Sequence, residues 1–333
     1  MKVLLCVRQD YLKNTGSDTA IIKQVYKHLR LLDINVTINN GNVYSFKGYD
    51  IVHLFNINEI GQIYKYHKEA VKCKCKLVIT PLYFNMEKYY KYKNEEDKLK
   101  FWKSSNLYRE EVLNKCNLIV CNSQWEKNVL QKDFKKYKNI IILKNGVSEV
   151  EDENVPLYNF EKRYNVSNYV LAVGRIGARK NQLTLSRICN ELNIDLVLIG
   201  AVDDKNYLKE CLKYKNVKYL GFMDNYNLFN AYKFARVYAI PSFMEITNLA
   251  ALEAAGSGCN MLITEEGAMS EYFKELAVYC NPYDDQTIKE GILKAYYKRK
   301  NDCLKNYVFK NYRWESTVNI LLDEYNKLLN RCQ

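Results

Sequence analysis

Short apolar runs alternate along the chain with longer polar-amphipathic segments. Runs at 2–7, 35–39, 50–55, 76–80, 118–121 and 139–143 predict strands, and 18–32, 59–72, 104–115 and 123–132 predict helices between them. The pattern restarts with runs at 169–173, 195–200, 217–221, 236–240, 260–264 and 276–280. Helical stretches at 181–192, 204–214, 226–234 and 248–255 separate these. Apolar strands alternating with helices imply parallel sheets covered on both faces. The expected class is therefore α/β with two Rossmann-like domains: 1–150, a linker at 151–168 with no clear periodicity, and 169–312. A last helix is expected within 313–333, over "RWESTVNILLDEYNKLLN". Ligands of such sheets bind beyond the carboxyl ends of the strands, and two facing units would enclose a cleft. The Lys/Tyr-rich stretch 86–103 reads as an exposed insertion.

Composition narrows the class. The 333 residues are 48% hydrophobic and 26% charged, as in soluble globular proteins. No apolar run approaches the roughly 18–20 residues of a bilayer span. The start "MKVLLCVRQD" is charged too early for a secretory segment and reads as a strand, so a cytoplasmic location is expected. There are 11 cysteines and no CxxC pair, which points to buried or incidental thiols in a reducing compartment and away from zinc.

Charge is lopsided. Residues 1–150 hold 26 Lys+Arg against 15 Asp+Glu, or +11; residues 151–333 hold 24 against 23, or +1, giving the total of +12. Such a field attracts an anionic partner to the first half: a phosphorylated lipid, an anionic inner-leaflet surface, an acidic glycan or nucleic acid. The 29 tyrosines offer a plainer account, the codon usage of an AT-rich genome.

Two stretches carry chemistry. In "VLAVGRIGARKN" a strand runs into Gly174, Arg175, Gly177, Arg179 and Lys180, with a helix following. Glycine lets backbone approach a ligand, a helix start offers free N–H groups, and clustered cations suit a diphosphate. A β–α turn with solvated cations is the plain alternative. In "PSFMEITNLAALEAAGSG" a helix is expected to begin near Thr247 or Asn248, with Glu245 in the loop before it and Glu253 within it. Ala250, Ala251, Ala254 and Ala255 would let that helix lie close to its sheet. Two carboxylates at one strand end can accept from sugar hydroxyls, or be a capping acid and a surface acid.

With these stretches, "GFMDNYNLFNAYKFARVYAIPSFMEITNLAALEAAGSG" and "TEEGAMSEYF" make the second half resemble a retaining, nucleotide-sugar-dependent glycosyltransferase of the GT-B fold, family 4. Glu245 and Glu253 stand as its E-x7-E. The first half resembles it through "CNSQWEKNVL" and "IIILKNGV", and the last helix resembles the one that crosses back to the first domain. The resemblance implies a GT-B architecture with a deep interdomain cleft. It also implies transfer of a hexose from a nucleotide diphosphate sugar, UDP-linked before GDP-linked, to a glycan or lipid-linked acceptor. Arg175 and Lys180 would neutralise the diphosphate, Glu245 would hold donor-sugar hydroxyls and Glu253 the ribose. Backbone of Ile246, Thr247, Asn248 and Leu249 would meet sugar and phosphate. Gly174 would allow close approach, backbone near Gly221 and Phe222 would line the base, and Gly16 would be the close-approach glycine of the first domain. The resemblance implies no metal and no cofactor beyond the sugar nucleotide.

The chain departs from the family in two places. The region "VITPLYFNME" lacks the family's histidine, and its double glycine is reduced to Gly16-Ser17. Of the three histidines, His53 reads as a satisfied core residue, and His28 and His67 as surface residues. Two other readings are a nucleotide-sugar epimerase of the same fold and a basic nucleic-acid-binding protein. The former lacks a cluster of acid/base groups in the first half. The latter lacks any RRM, KH or helix-turn-helix signature.

Overall fold

A computed structural model describes residues 1–12, 16–134, 137–147 and 156–330. It divides into two compact units, Met1–Gly146 with Trp314–Gln333, and Val147–Arg313. The first holds β1 (Lys2–Cys6), β2 (Asn35–Asn39), β3 (Ile51–Phe55), β4 (Lys76–Thr80), β5 (Leu118–Cys121) and β6 (Ile140–Ile142). They form one parallel sheet in the order β2-β1-β3-β4-β5-β6. The second holds β7 (Val170–Val173), β8 (Leu196–Ile199), β9 (Val217–Tyr219), β10 (Val237–Ile240), β11 (Asn260–Thr264) and β12 (Val278–Cys280), in the order β12-β11-β10-β7-β8-β9. All twelve strands fall within the runs expected from sequence. β1, β3, β7, β8 and β10 are almost wholly buried, because helices cover both faces and leave no wet side to a parallel sheet.

The order β9-β8-β7-β10-β11-β12 reverses direction between β7 and β10. In a doubly wound sheet that reversal parts the two following loops and leaves a crevice beyond the strand ends. β7 and β10 pair directly, Val237 opposite Val170 and Tyr238 opposite Leu171, so their exit loops leave the sheet side by side. These loops are 174–181 and 241–248, the two stretches singled out above.

Three expectations need correction. Residues 156–168 are not merely a linker: Phe160–Tyr164 is a helix capped by Asn159, and Phe160 and Val166 are buried within the second unit. Residues 151–155 of the expected linker lie outside the described residues. The stretch 86–103 is not simply an exposed insertion. It forms the helices Glu87–Tyr92 and Glu96–Ser104 and buries Tyr89 and Trp102. The Trp102 ring stacks 5.9 Å from Tyr83, and the Arg109 guanidinium lies 3.7 Å from its centroid. His67 is buried, with neither ring nitrogen bonded among the described residues, because its face of the helix Ile60–Lys72 turns toward the helix Asn106–Lys115.

His53 is a satisfied core residue. Its Nδ1 lies 2.5 Å from the Tyr325 hydroxyl and its Nε2 2.9 Å from Thr80 Oγ1, and burial pushes its pKa down to about 3. Tyr325 belongs to the terminal helix Trp314–Asn330, whose Val318, Leu321, Tyr325 and Leu328 are buried. That helix lies against Ser17–Leu31 within the first unit.

Candidate active site

After β7 the chain reaches Gly174 at φ +146°, turns through a short 3-10 helix Ala178–Lys180, and enters the helix Gln182–Glu191. The exit of β8 zips this turn in place. Gly174 N–H donates to Ile199 (2.9 Å), Ile176 N–H to Ala201 (2.8 Å) and Asp203 N–H to Ile176 (3.0 Å). Gly200 makes the approach feasible, since a Cβ there would sit 2.1 Å from the Gly174 carbonyl oxygen. The Gln182 side chain closes the turn by donating to the Arg175 carbonyl at 2.8 Å.

The loop after β10 is stitched to that turn. Phe243 N–H donates to the Arg179 carbonyl (2.9 Å), and Arg179 Nη1 donates to the Met244 carbonyl (2.7 Å). From the other side, Glu245 N–H donates to Glu266 (3.0 Å) and Ala268 N–H to Glu245 (2.9 Å). Gly267, at φ +124°, permits this, because a Cβ there would lie 1.8 Å from the Glu245 carbonyl oxygen. Glu245 is thus held by its backbone on both sides before its side chain does anything.

Its side chain forms an ion pair with Lys180 Nζ. Burial would push the Glu245 carboxyl up, but the Lys180 and Arg179 charges outweigh it and hold the group below the usual carboxylate range. Lys180 falls below the usual ammonium range because burial, with the Arg179 and Arg175 charges, outweighs Glu245. The structure therefore brings Lys180 and Glu245 into contact as a charged, nearly dry pair. Arg175 stands at the same strand end, its Nη1 3.5 Å from Asp203.

The helix beyond is Leu249–Gly256, one residue after the expected start. Asn248 caps it, Oδ1 accepting from Ala251 N–H at 2.9 Å, so the Asn248 side chain is committed to the cap. Ala251, Ala254 and Ala255 are fully buried and let the helix lie close to its sheet. Ile246, Thr247, Asn248 and Leu249 are all buried, and the Thr247 hydroxyl has no hydrogen-bond partner among the described residues. A buried hydroxyl left unpaired costs free energy unless something else occupies it. Glu253, one turn into the helix, accepts from the Tyr232 hydroxyl at 3.1 Å, and burial pushes its pKa up to about 7.

Gly221 and Phe222 follow β9. Gly221 has φ +75°, its carbonyl accepts from Gly200 N–H at 2.8 Å, and Phe222 is 69% exposed. Gly16 lies in the first unit, where it is the N-cap of Ser17–Leu31 at φ −151°, extended backbone that does not itself demand glycine. Among the described residues, no group of three or more His, Cys, Asp or Glu gathers as a metal site. All ten described cysteines are free.

Residues 159–308 match the family model described as "Glycosyl transferases group 1". The fold of the whole chain is GT-B. Sucrose-phosphate synthase from Thermosynechococcus elongatus superposes with a TM-score of 0.81 at 14% identity, covering 99% of this chain and 100% of that one. The Anabaena protein HepE, solved with UDP and glucose, superposes with a TM-score of 0.74 at 14% identity, covering 98% of this chain and 100% of that one. At sequence level, an uncharacterized glycosyltransferase of Methanocaldococcus jannaschii is 26% identical over 232 residues. That match takes in 62% of this chain and 59% of the curated relative, so the chain spans about three-fifths of that relative's length.

Sequence reasoning missed three residues that shape this candidate site: Gly267 and Gly200, which admit close backbone, and Tyr232, which bonds Glu253. Arg179 was read only as one of a cluster of cations, whereas it ties the two loops together. The glycines could have been suspected from their places just beyond β11 and β8. Nothing in the local pattern marks Tyr232, which reads as one more apolar position of a helix.

Proposed function

We propose that the protein is a retaining glycosyltransferase of family 4 that moves a hexose from a nucleotide diphosphate sugar, UDP-linked in the first instance, to a glycan or lipid-linked acceptor. The observation that carries this is the Lys180–Glu245 pair at the β7/β10 reversal, beside the unpaired Thr247 hydroxyl and the start of the helix Leu249–Gly256. Lys180 and Arg175 neutralise the diphosphate. Their stabilisation grows as charge builds on the departing phosphate, and only such differential binding speeds the step. Glu245 accepts from donor-sugar hydroxyls and Glu253 from the ribose. The Thr247 hydroxyl and adjacent backbone bond sugar or phosphate. Attack occurs on the face from which the nucleoside diphosphate leaves, a donor phosphate oxygen taking the acceptor's proton. No metal is assigned a role.

A thermal-shift screen of nucleotide sugars tests the reading. A specific binder present at about 100 times its Kd adds about 2.7 kcal/mol by mass action, and Glu253→Ala is expected to lose most of the resulting shift. Indifference to every nucleotide sugar would remove the proposal. Sugar epimerised while still attached to the nucleotide would favour the epimerase reading.

The basic first unit supports peripheral contact with an anionic inner leaflet. Phe101, Leu107 and Tyr108 are exposed on the successive helices Glu96–Ser104 and Asn106–Lys115, close to Lys100 and Lys103. Among the described residues no helix is long and apolar enough to cross a membrane. Co-sedimentation with vesicles containing phosphatidylglycerol is expected at low salt, weaker at moderate salt and weaker again in Phe101→Ser. Protein that stays in the supernatant at both salt concentrations excludes this contact.

A further inference from the structure

We propose that Tyr232 is a positioning residue for the donor: its hydroxyl fixes one oxygen of the Glu253 carboxylate so that the other stays aimed at the ribose. The inference rests on the reading of Glu253 as the ribose-binding acid. Tyr232 lies on the helix Asn225–Phe234, which packs against Leu249–Gly256, and is 2% exposed. Its hydroxyl donates to Glu253 Oε2 at 3.1 Å, and the second carboxylate oxygen has no partner among the described residues. The tyrosine is itself anchored, its carbonyl accepting from the Cys259 thiol at 2.9 Å. A neighbouring buried tyrosine stands in the same relation to the loop: the Tyr238 hydroxyl lies 3.2 Å from both Asn248 Oδ1 and the Val173 carbonyl. Two phenols beneath the helix thus address its cap and its acid.

The chemistry is that of a charged acceptor held from behind. A carboxylate receiving one strong bond from the protein loses rotational freedom and keeps its remaining lone pairs for vicinal hydroxyls. Burial raises the Glu253 carboxyl to about 7, and the Tyr232 bond opposes that rise by favouring the charged form. The other titratable groups nearby are Tyr238 and Cys259, which burial keeps neutral, and Glu245, held charged by Lys180. Burial likewise pushes Tyr232 far above the usual phenol range, so it remains a donor throughout. Donor binding that needs the carboxylate therefore weakens as pH falls through about 7. Without the Tyr232 hydroxyl the carboxyl rises further, and the midpoint of binding moves to higher pH.

The test is calorimetric titration of UDP-glucose and GDP-mannose into wild type, Tyr232→Phe, Glu253→Gln and the double variant, from below to above neutrality. Neither probe's diphosphate diester titrates in that range. Tyr232→Phe keeps the ring and its packing, and melting temperatures accompany each titration. Tyr232→Phe is expected to bind about tenfold more weakly at neutral pH, about 1.4 kcal/mol, and to recover as pH rises, since it loses one hydrogen bond to a charged group. Its preference for the natural nucleotide over the 2′,3′-dideoxy analogue should shrink, and the double variant should bind no worse than Glu253→Gln. Wild-type binding and pH profile in Tyr232→Phe, alongside weakened Glu253→Gln, overturns the role of Tyr232 and leaves Glu253's intact. A loss in Tyr232→Phe that ignores both pH and the ribose hydroxyls shows a merely structural role and equally overturns it. Undiminished binding by Glu253→Gln overturns the ribose reading, and wild type that binds neither probe overturns the nucleotide-sugar reading itself.

Discussion

Lys180→Ala is expected to lower transfer by about 10²–10³-fold, the loss typical of one preorganised group aimed at developing charge. The same change should destabilise the protein. Removing one member of a buried ion pair typically costs about 3–5 kcal/mol, because the surviving charge is left dry and unpaired. Side-chain exposures of 12% for Lys180 and 4% for Glu245 place the pair in that class. Lys180 is also the largest charge holding the Glu245 carboxyl down, so in Lys180→Ala that carboxyl rises. The double variant Lys180→Ala/Glu245→Gln, which removes the orphaned charge, should regain much of the melting temperature and none of the rate. Initial rates of nucleoside diphosphate release and calorimetric melting read the two effects separately. Turnover within a few-fold of wild type in Lys180→Ala would take this lysine out of the chemistry.

Gly267→Ala should come close to that effect from a position bearing no functional group. The added Cβ would fall 1.8 Å from the Glu245 carbonyl oxygen, on a backbone at φ +124° that L-residues rarely adopt. Neither atom can yield without moving the segment that presents Glu245. The hydrogen bonds from Glu245 N–H to Glu266 and from Ala268 N–H to Glu245 pass through the same contact. A displacement of about 1 Å at a reacting centre can cost about 10² in rate, and kcat should fall more than KM rises. Gly258→Ala is the control: its φ is +85°, and nothing lies within 4 Å of the added Cβ. It carries similar backbone strain without the collision, about 1–3 kcal/mol, and should keep its activity. Equal rates for the two variants would show that the Gly267 contact does not position Glu245.

The strands were legible because a parallel sheet covered on both sides writes itself as apolar runs. "VLLC", "IVHLF" and "LVLI" could hardly be anything else in a chain with helical spacing between them. That Lys180, Glu245 and Asn248 lie in the loops leaving β7 and β10 was legible for a related reason: each stands between an apolar run and the helical spacing that follows it. Their mutual contacts were not, because only the folded sheet sets those loops side by side. The helices Asp285–Tyr297 and Cys303–Asn311 were not picked out, since their apolar positions are mixed with Tyr and Lys and neither carries chemistry. His67 was misread because lysines surround it in sequence while its face of the helix is dry. Tyr232 and Gly267 escaped for a deeper reason. Each acts on a residue at least 20 positions away, through contacts that only the folded sheet creates.

The pairing of Met1–Gly146 with Trp314–Gln333 bears on how the polypeptide is made. A ribosome delivers residues in chain order, yet the hydroxyl that bonds His53 and the apolar face formed by Val318, Leu321 and Leu328 follow the whole of Val147–Arg313. Synthesis therefore completes the later-encoded unit first, and the earlier one remains without its closing helix until Trp314–Asn330 has been made.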